Sequence, residues 1–264
     1  MSQIKNSSCC PFCGHALVNV YSRGLVILRC KACGLLLKGA AQSGKEFAAL
    51  YRTAWEDSST HKDETGGTDL SLAKFYAQKL ASALNLKNFA GLKILDFGAG
   101  RGDMLTALSG LGAQAYGVEP FGYDYLKQRG FAVFPTLEAL SKAMRFDVIT
   151  MIDVAEHLSA PWETINNLCG LLNPGGRLYL ATPNAGGLNA GISGPRWREW
   201  HNPSHVMFFT PHSLELLLNT VSGVTYQRLR WLVPYGGGTI KKIIHFALQL
   251  SGYDGELRYL LRKP

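Results

Sequence analysis

From residue 92 onward, short apolar runs alternate with amphipathic stretches of helical period. The pattern predicts strands at 93–97, 114–118, 132–134, 147–151 and 177–181, with helices at 103–109, 123–129, 137–143 and 161–172 between them. Short apolar strands separated by helices imply an α/β arrangement, a buried parallel sheet joined by right-handed crossovers. A helix over 213–221 and a strand over 225–231 follow, and 206–209 reads as another short strand. Ahead of this alternation come a helix at 47–55 and a polar stretch at 56–68 containing Gly66 and Gly67. A helix capped by Asp69 then runs to Leu84, with Leu72, Phe75, Tyr76, Leu80 and Leu84 spaced for one face. At the far end, Ile240, Ile243, Ile244, Phe246, Ala247, Leu248 and Leu250 lie beside Lys241, Lys242 and His245. This gives a basic amphipathic tail over 233–264, suited either to packing on its own domain or a second subunit, or to peripheral contact with a membrane surface.

Five of the six cysteines fall in the first 33 residues. Cys10-Pro-Phe-Cys13-Gly and Cys30-Lys-Ala-Cys33-Gly are two C-x2-C knuckles sixteen residues apart, the spacing of a zinc ribbon over 1–40. Four thiolates leave no open coordination position, so such a metal is structural. A pair of disulfides is the alternative, disfavoured in a reducing compartment. Cys169 stands alone in a predicted helix. The N-terminus lacks the apolar core of a signal peptide and no run of about 18 apolar residues occurs, so a cytoplasmic protein is expected. The expected organisation is the ribbon at 1–40, a linker at 41–68, a domain at 69–232 and the tail.

The most informative stretch runs from Ile94 to Leu105: an apolar strand ending in Asp96, then Phe97-Gly98-Ala99-Gly100-Arg101-Gly102, then an amphipathic helix. Alternating glycines fold the backbone tightly and admit a ligand against bare N–H groups. The helix start at Gly102 adds a positive dipole end. The glycines are not spaced as the G-x-G-x-x-G of a dinucleotide site. A second acid, Glu119, ends the next strand ahead of Pro120 and Phe121, where a carboxylate can accept the hydroxyls of a ribose.

Charge alters this picture only at the ends. The net charge is +8, and the basic excess sits in residues 1–60 and 223–264 while the middle is near neutral. Those ends are either solvated faces or a surface for an anionic partner such as a phosphate-bearing substrate, RNA or lipid.

With 146–149 and the 172–178 turn, these segments resemble class I S-adenosylmethionine-dependent methyltransferases over roughly residues 70–232. The resemblance implies a Rossmann-like, doubly wound, mostly parallel sheet with an antiparallel last strand. It implies that Asp96, Phe97, Gly98, Ala99, Gly100 and Gly102 line the methionine half of S-adenosylmethionine, that Glu119 holds the ribose, and that Pro120 and Phe121 flank the adenine. Asp153 belongs to the same cofactor-facing set. More narrowly, Asp153-Val154-Ala155-Glu156-His157-Leu158, Ala181-Thr182-Pro183-Asn184 and 200–209 resemble the ubiquinone O-methyltransferases and sugar methyltransferases of bacterial envelope clusters. The ribbon, and Asp153 in place of a Glu, set the chain apart from the ubiquinone enzymes. In those enzymes the corresponding acids and His are proposed to hold a cation. The implied chemistry is O- or C-methylation of a small-molecule or saccharide acceptor.

Methyl transfer requires alignment and, for a hydroxyl or activated C–H nucleophile, removal of a proton. Glu156, His157, His201 and His205 are the candidates for that work, the histidines because imidazole titrates near neutral pH. Asp153, Glu156 and His157 offer a set for Mg2+, or Glu156 and His157 open a helix and satisfy its amides. Trp197 and Trp200 suit a lid that stacks on a ring, or anchor their loop. The Asn/Asp-Pro-Pro-aromatic run of enzymes that methylate base amines is absent after the fourth strand. Two alternatives remain: a methyltransferase whose basic ribbon grips rRNA through Arg23, Arg29 and Lys31, and a cofactor-binding scaffold without catalysis.

Overall fold

The computed structural model describes residues 9–21, 25–39, 52, 53, 70–230, 239, 243, 247, 251 and 254–264. Of the helix expected at 47–55 only Arg52 and Thr53 are described, both helical; the polar stretch at 56–68, the Asp69 cap, Arg23 and most of the tail's apolar face lie outside these residues. Among the described residues no helix is long and apolar enough to cross a membrane.

Two sheets form. The smaller contains β1 (Leu17–Tyr21), β2 (Ile27–Cys30), β3 (Leu36–Lys38) and β9 (Met207–Phe208), in the order β1-β2-β3-β9 with antiparallel neighbours. The larger has β4 (Lys93–Phe97), β5 (Gln114–Val118), β6 (Ala132–Phe134), β7 (Phe146–Ile152), β8 (Leu172–Pro183), β10 (Thr225–Arg228) and β11 (Glu256–Arg262), in the order β10-β11-β8-β7-β4-β5-β6. β4 to β8 pair in parallel, and β11 runs antiparallel between β8 and β10. The expected doubly wound, mostly parallel sheet with an antiparallel strand near its end is therefore present.

One strand came from an unexpected place. Residues 256–262, assigned by the sequence to the tail, form β11 in the interior of the sheet. Leu257, Tyr259 and Leu261 face one layer and Glu256, Arg258 and Leu260 the other, where Arg258 is buried by pairing with Asp254 and Glu256, so the run is covered on both sides. Two predicted helices also shrink. That at 137–143 is a single 3-10 turn, Leu137–Ala139, because Leu140 turns extended and buries its side chain. That at 161–172 ends at Gly170, and β8 starts two residues later.

Two apolar layers sandwich the sheet. On one side the first described long helix, α1 (Leu70–Ala83), buries Ala73, Ala77, Leu80 and Ala81; small side chains let it lie close to the strands. Leu72, expected inside, is exposed. On the other side Cys10, Cys30, Cys33, Leu35 and Leu37 of the small sheet share one core with Leu178, Leu180, Met207, Phe209 and Leu214. The helix carrying Leu214 (Pro211–Leu218) starts in a capping box between Thr210 and Ser213. Burying apolar area at about 25 cal/mol per Å2 is what joins the two sheets.

Candidate active site

The glycine turn leaves β4 at the carboxyl edge of the sheet, where ligands bind in open α/β folds. Gly98, Gly100 and Gly102 all have positive φ, so the turn needs residues without a Cβ. They differ in what surrounds them. A Cβ on Gly98 would stand 2.4 Å from Val154 Cγ2, and one on Gly102 would stand 2.8 Å from Leu126 Cδ2. A Cβ on Gly100 would meet nothing within 4 Å. Gly98 and Gly102 are therefore set by packing, and Gly100 by the space beside it.

The amides of the turn are not bare, contrary to the sequence reading. Gly98 and Ala99 N–H donate to the Val118 carbonyl, Gly102 N–H donates to the Ala99 carbonyl, and Gly100 N–H donates to Glu119 Oε2 at 2.9 Å. Glu119 Oε1 accepts from Phe121 and Gly122 N–H at 2.9 and 3.2 Å. Glu119 is thus buried and braces the turn against the next loop, with one lone pair of Oε2 left over. Asp96 is buried too and accepts from Thr150 Oγ1 at 2.6 Å. Desolvation, beyond what the Thr150 bond restores, pushes its carboxyl up to about 7. A turn that spends the amides of Gly98, Ala99, Gly100 and Gly102 internally and has acids around it does not suit a pyrophosphate. It suits a cationic ligand with hydroxyls. Phe121 is half-buried and Pro120 exposed at the rim.

Asp153 follows β7 with φ +52, a left-handed conformation that Asp tolerates better than most residues and that marks a site held by its surroundings. Its N–H donates to the Ala181 carbonyl. Its side chain is open to solvent yet ringed by protein, as on a cleft wall, and burial followed by the charges of Glu256 and Glu199 pushes it up to about 7. Glu256 lies opposite Pro183 on β11, held by Tyr76 Oη at 2.7 Å and by Arg258, which also pairs with Asp254 at 2.8 Å.

Behind Asp153, Glu156, His157 and His205 bring ligand-type atoms within 4.8 Å of one another. Glu156 and His157 lie on a 3-10 turn, Ala155–His157. Glu156 is buried; Thr182 Oγ1 donates to its Oε2 at 2.8 Å while Oε1 has no hydrogen-bond partner among the described residues, and desolvation and Asp153 push the carboxyl well up. His157 Nδ1 donates to the Ser204 carbonyl at 2.9 Å; desolvation lowers its imidazole, against the Ser204 and Asp153 carbonyls that favour the charged ring. Asn202 Oδ1 accepts from Ser204 N–H and Oγ, which fixes the amide so that its Nδ2 donates to His205 Nε2 at 2.9 Å. The His205 proton therefore sits on Nδ1, 3.5 Å from Glu199 Oε2. Burial, then His157, holds that imidazole down at about 3.

These placements revise several expectations. Asp153 is not in the converging group, and Mg2+, which takes oxygen ligands, does not fit one carboxylate and two imidazoles that already have protein partners. His201 is exposed and donates to the Pro195 carbonyl, outside this group. Trp197 and Trp200 are buried against Ile27, Leu36 and Phe208, as anchors of their loop on the small sheet and not as a lid. Glu199, Asn202 and Glu256 were missed: Glu256 lies far in sequence from Asp153, and Glu199 and Asn202, although near His205, are ordinary polar residues that carry no signal.

In the small sheet, two like knuckles close on each other. Gly14 and Gly34 N–H donate to the Cys10 and Cys30 carbonyls, both glycines at positive φ. Cys10 and Cys33 Sγ lie 3.7 Å apart and Cys13 and Cys30 Sγ 3.4 Å. A disulfide requires about 2.05 Å, whereas a zinc tetrahedron with bonds of about 2.3 Å has edges near 3.8 Å. Burial pushes Cys10 and Cys33 up; Cys30, also raised by burial, is brought down to about 7 by the N–H groups of Cys33 and Ala32.

Comparison with known proteins agrees with this geometry. The family model described as a methyltransferase domain matches residues 70–221. A ubiquinone biosynthesis O-methyltransferase of Pseudomonas fluorescens is 32% identical over 108 residues, 37% of this chain and 47% of that protein. Another, from a Bradyrhizobium species, is 26% identical over 174 residues, 57% of this chain and 69% of that one. The chain thus spans less than half the length of the first of these curated relatives. Among solved structures, the plantazolicin methyltransferase BpumL with a triazolic desmethylPZN analog and SAH superposes with a TM-score of 0.55 at 16% identity, covering 84% of this chain and 99% of that one. The Burkholderia thailandensis 1,6-didemethyltoxoflavin-N1-methyltransferase with S-adenosylhomocysteine gives 0.54 at 18%, covering 94% and 98%. The match over more than half of the sequence, on the strand order just described, settles the matter: this chain belongs to the methyltransferase-domain family.

Proposed function

We propose that the protein transfers a methyl group from S-adenosylmethionine to a small-molecule acceptor, with zinc held by Cys10, Cys13, Cys30 and Cys33 as a structural staple. One observation carries the donor reading: the turn uses the amides of Gly98, Ala99, Gly100 and Gly102 internally and is flanked by Asp96, Glu119 and Asp153, an environment for a cation bearing hydroxyls and no phosphate. Relatives named for S-adenosylhomocysteine complexes support it. When bound, the donor supplies an activated methyl on a sulfonium.

The residues then divide the work. Asp96 and Asp153 face the cationic end, the remaining lone pair of Glu119 Oε2 takes a ribose hydroxyl, and Phe121 covers the adenine. Asp153 also removes the acceptor's proton. It is the acid at this edge that is open to solvent, and its raised pKa sits near the working pH, where a base is most effective. Glu156, His157 and His205, proposed by the sequence as the base, are buried behind it and support it. The acceptor is a hydroxyl or an activated C–H of a small molecule, sugar hydroxyls included; the ubiquinone relatives are named for O-methylation.

Calorimetry with S-adenosylhomocysteine and transfer of labelled methyl to a panel of hydroxylated acceptors test this. Asp153→Asn should lower kcat by about 10^2–10^4-fold and flatten a pH profile that rises through about 7 in the wild type. No binding of S-adenosylhomocysteine would remove the donor reading, and an unchanged kcat would remove Asp153 as the base.

A further inference from the structure

The small sheet is not an appended module. Its fourth strand, β9, comes from the methyltransferase domain, with Leu36 opposite Phe208 and Leu37 opposite Met207. Lys38 N–H continues the ladder to the Val206 carbonyl, and Val206 N–H donates to the carbonyl of Glu156. The Lys38 side chain makes a second link. It is half-buried, and its ammonium donates to the Asn202 carbonyl at 2.5 Å. Among the described residues no carboxylate pairs with it. A desolvated ammonium spent on a backbone carbonyl is an unusual use of charge, and burial lowers its pKa accordingly.

What that carbonyl belongs to gives the contact its meaning. Asn202 also receives His205 N–H on the same carbonyl, orients its amide through Ser204 and fixes the tautomer of His205. The Ser204 carbonyl in turn holds His157, and His157 lies between that carbonyl and the backbone of Asp153. The path from the cysteine knuckles to Asp153 therefore runs over hydrogen bonds: β3, Lys38, the 202–205 turn, His157, Asp153. The charged groups facing this turn are Lys38, Arg198, Glu199 and Glu156.

We propose that Lys38 is a positioning residue for the acceptor side, and that the metal-bound ribbon, by holding β3 against β9, sets the 202–205 turn that supports His157 and Asp153. This rests on the reading of Asp153 as the acceptor-side base and of the four thiols as a zinc site. It adds that loss of zinc disables the acceptor side and spares the donor side.

The test uses the full chain, zinc-loaded, without any acceptor. Lys38→Met should keep its zinc and bind S-adenosylhomocysteine within about twofold of wild type. Amide exchange at residues 202–206 and 156–157 should speed up about tenfold or more, the loss expected for one hydrogen bond from a charged donor. Lys38→Arg should restore most of the protection. Removing zinc with a chelator should deprotect 27–38 and 202–208 together while 93–119 stay protected. Unchanged exchange at 202–206 in Lys38→Met, or protected 202–208 beside an open ribbon, would overturn the proposal. If Lys38→Met does not fold, Lys38→Arg and the chelated wild type decide it. Absence of S-adenosylhomocysteine binding in the wild type would sink the donor reading instead and leave the exchange result standing.

Discussion

The donor side and the acceptor side of this protein lie at the same edge of one sheet and are built in opposite ways. The donor side is mostly local: β4, the 98–102 turn and the end of β5 supply Asp96, the glycines and Glu119 from fewer than thirty consecutive residues, and Asp153 is shared between the two sides. The acceptor side is assembled from Lys38, Asp153 to His157, Glu199 to Val206 and Asp254 to Arg258, which only the finished fold brings together. A local site is fixed by backbone geometry and tolerates little change. A dispersed site depends on tertiary contacts, so it can be altered piecewise, and it fails when a distant support fails.

Substitutions in the turn should give the largest effects and separate packing from ligand binding. Gly98→Ala places a Cβ into Val154 at positive φ and should destabilise the fold by about 2–4 kcal/mol in denaturant melts. Gly100→Ala meets no protein atom, so it should cost only about 1–2 kcal/mol of stability. Its Cβ enters the donor's space, and S-adenosylhomocysteine affinity should fall about tenfold or more by calorimetry. If both variants lose stability alike and Gly100→Ala binds normally, the turn is not a donor cradle.

A pH series sharpens the same contrast. Asp96 and Asp153 have folded values near 7 against 3.8 for the free side chain, so the folded chain binds more protons than the unfolded one between those values. The contribution of these two acids to stability is therefore fully present below about pH 4, declines as pH rises to about 7 and then levels, while His205, held down at about 3, contributes with the opposite sign below about 6.5. Donor affinity should move the other way, strengthening through pH 7 as the acids ionise beside a cation. Melts and calorimetry at pH 5.5 and 8 check both signs, and donor affinity that is flat across this range would detach these acids from the donor.

The smallest effect probes the layer under the acceptor side. Thr210→Ala removes the capping box of the Pro211–Leu218 helix, which packs Leu214 and Leu217 beside the ribbon. About 1 kcal/mol of stability should be lost, with S-adenosylhomocysteine affinity unchanged. A loss of donor affinity here would show that the two sides are not separable.

What could be read from the sequence follows the same division. The Asp96–Gly102 turn, Glu119, the cysteine knuckles and the strand–helix alternation are contiguous patterns, and all could be located in the chain. His205 was found because imidazole is conspicuous, but its partners Asn202 and Glu199 carry no signal of their own. The two tryptophans were legible as aromatic and not as facing inward, because the face they cover comes from Ile27 and Leu36. β11 went unread although Glu256, Leu257, Arg258 and Tyr259 alternate, because it is separated by more than seventy residues from β8, the strand it pairs with, and follows the amphipathic tail. That alternation, bounded on its N-terminal side by Asp254 and Gly255, was the available signal.

The pairing of Leu36 with Phe208 has a temporal consequence during synthesis. The cysteine knuckles leave the ribosome early, whereas the strand that completes their sheet is made 172 residues after Leu36, about 10–35 s later at about 5–20 residues per second. For that interval β3 presents an open, apolar edge, the kind of surface on which nascent chains associate wrongly. A chain truncated before residue 207 keeps that edge permanently, so aggregation on the ribosome, and not loss of catalysis alone, is the expected cost of losing its C-terminal part.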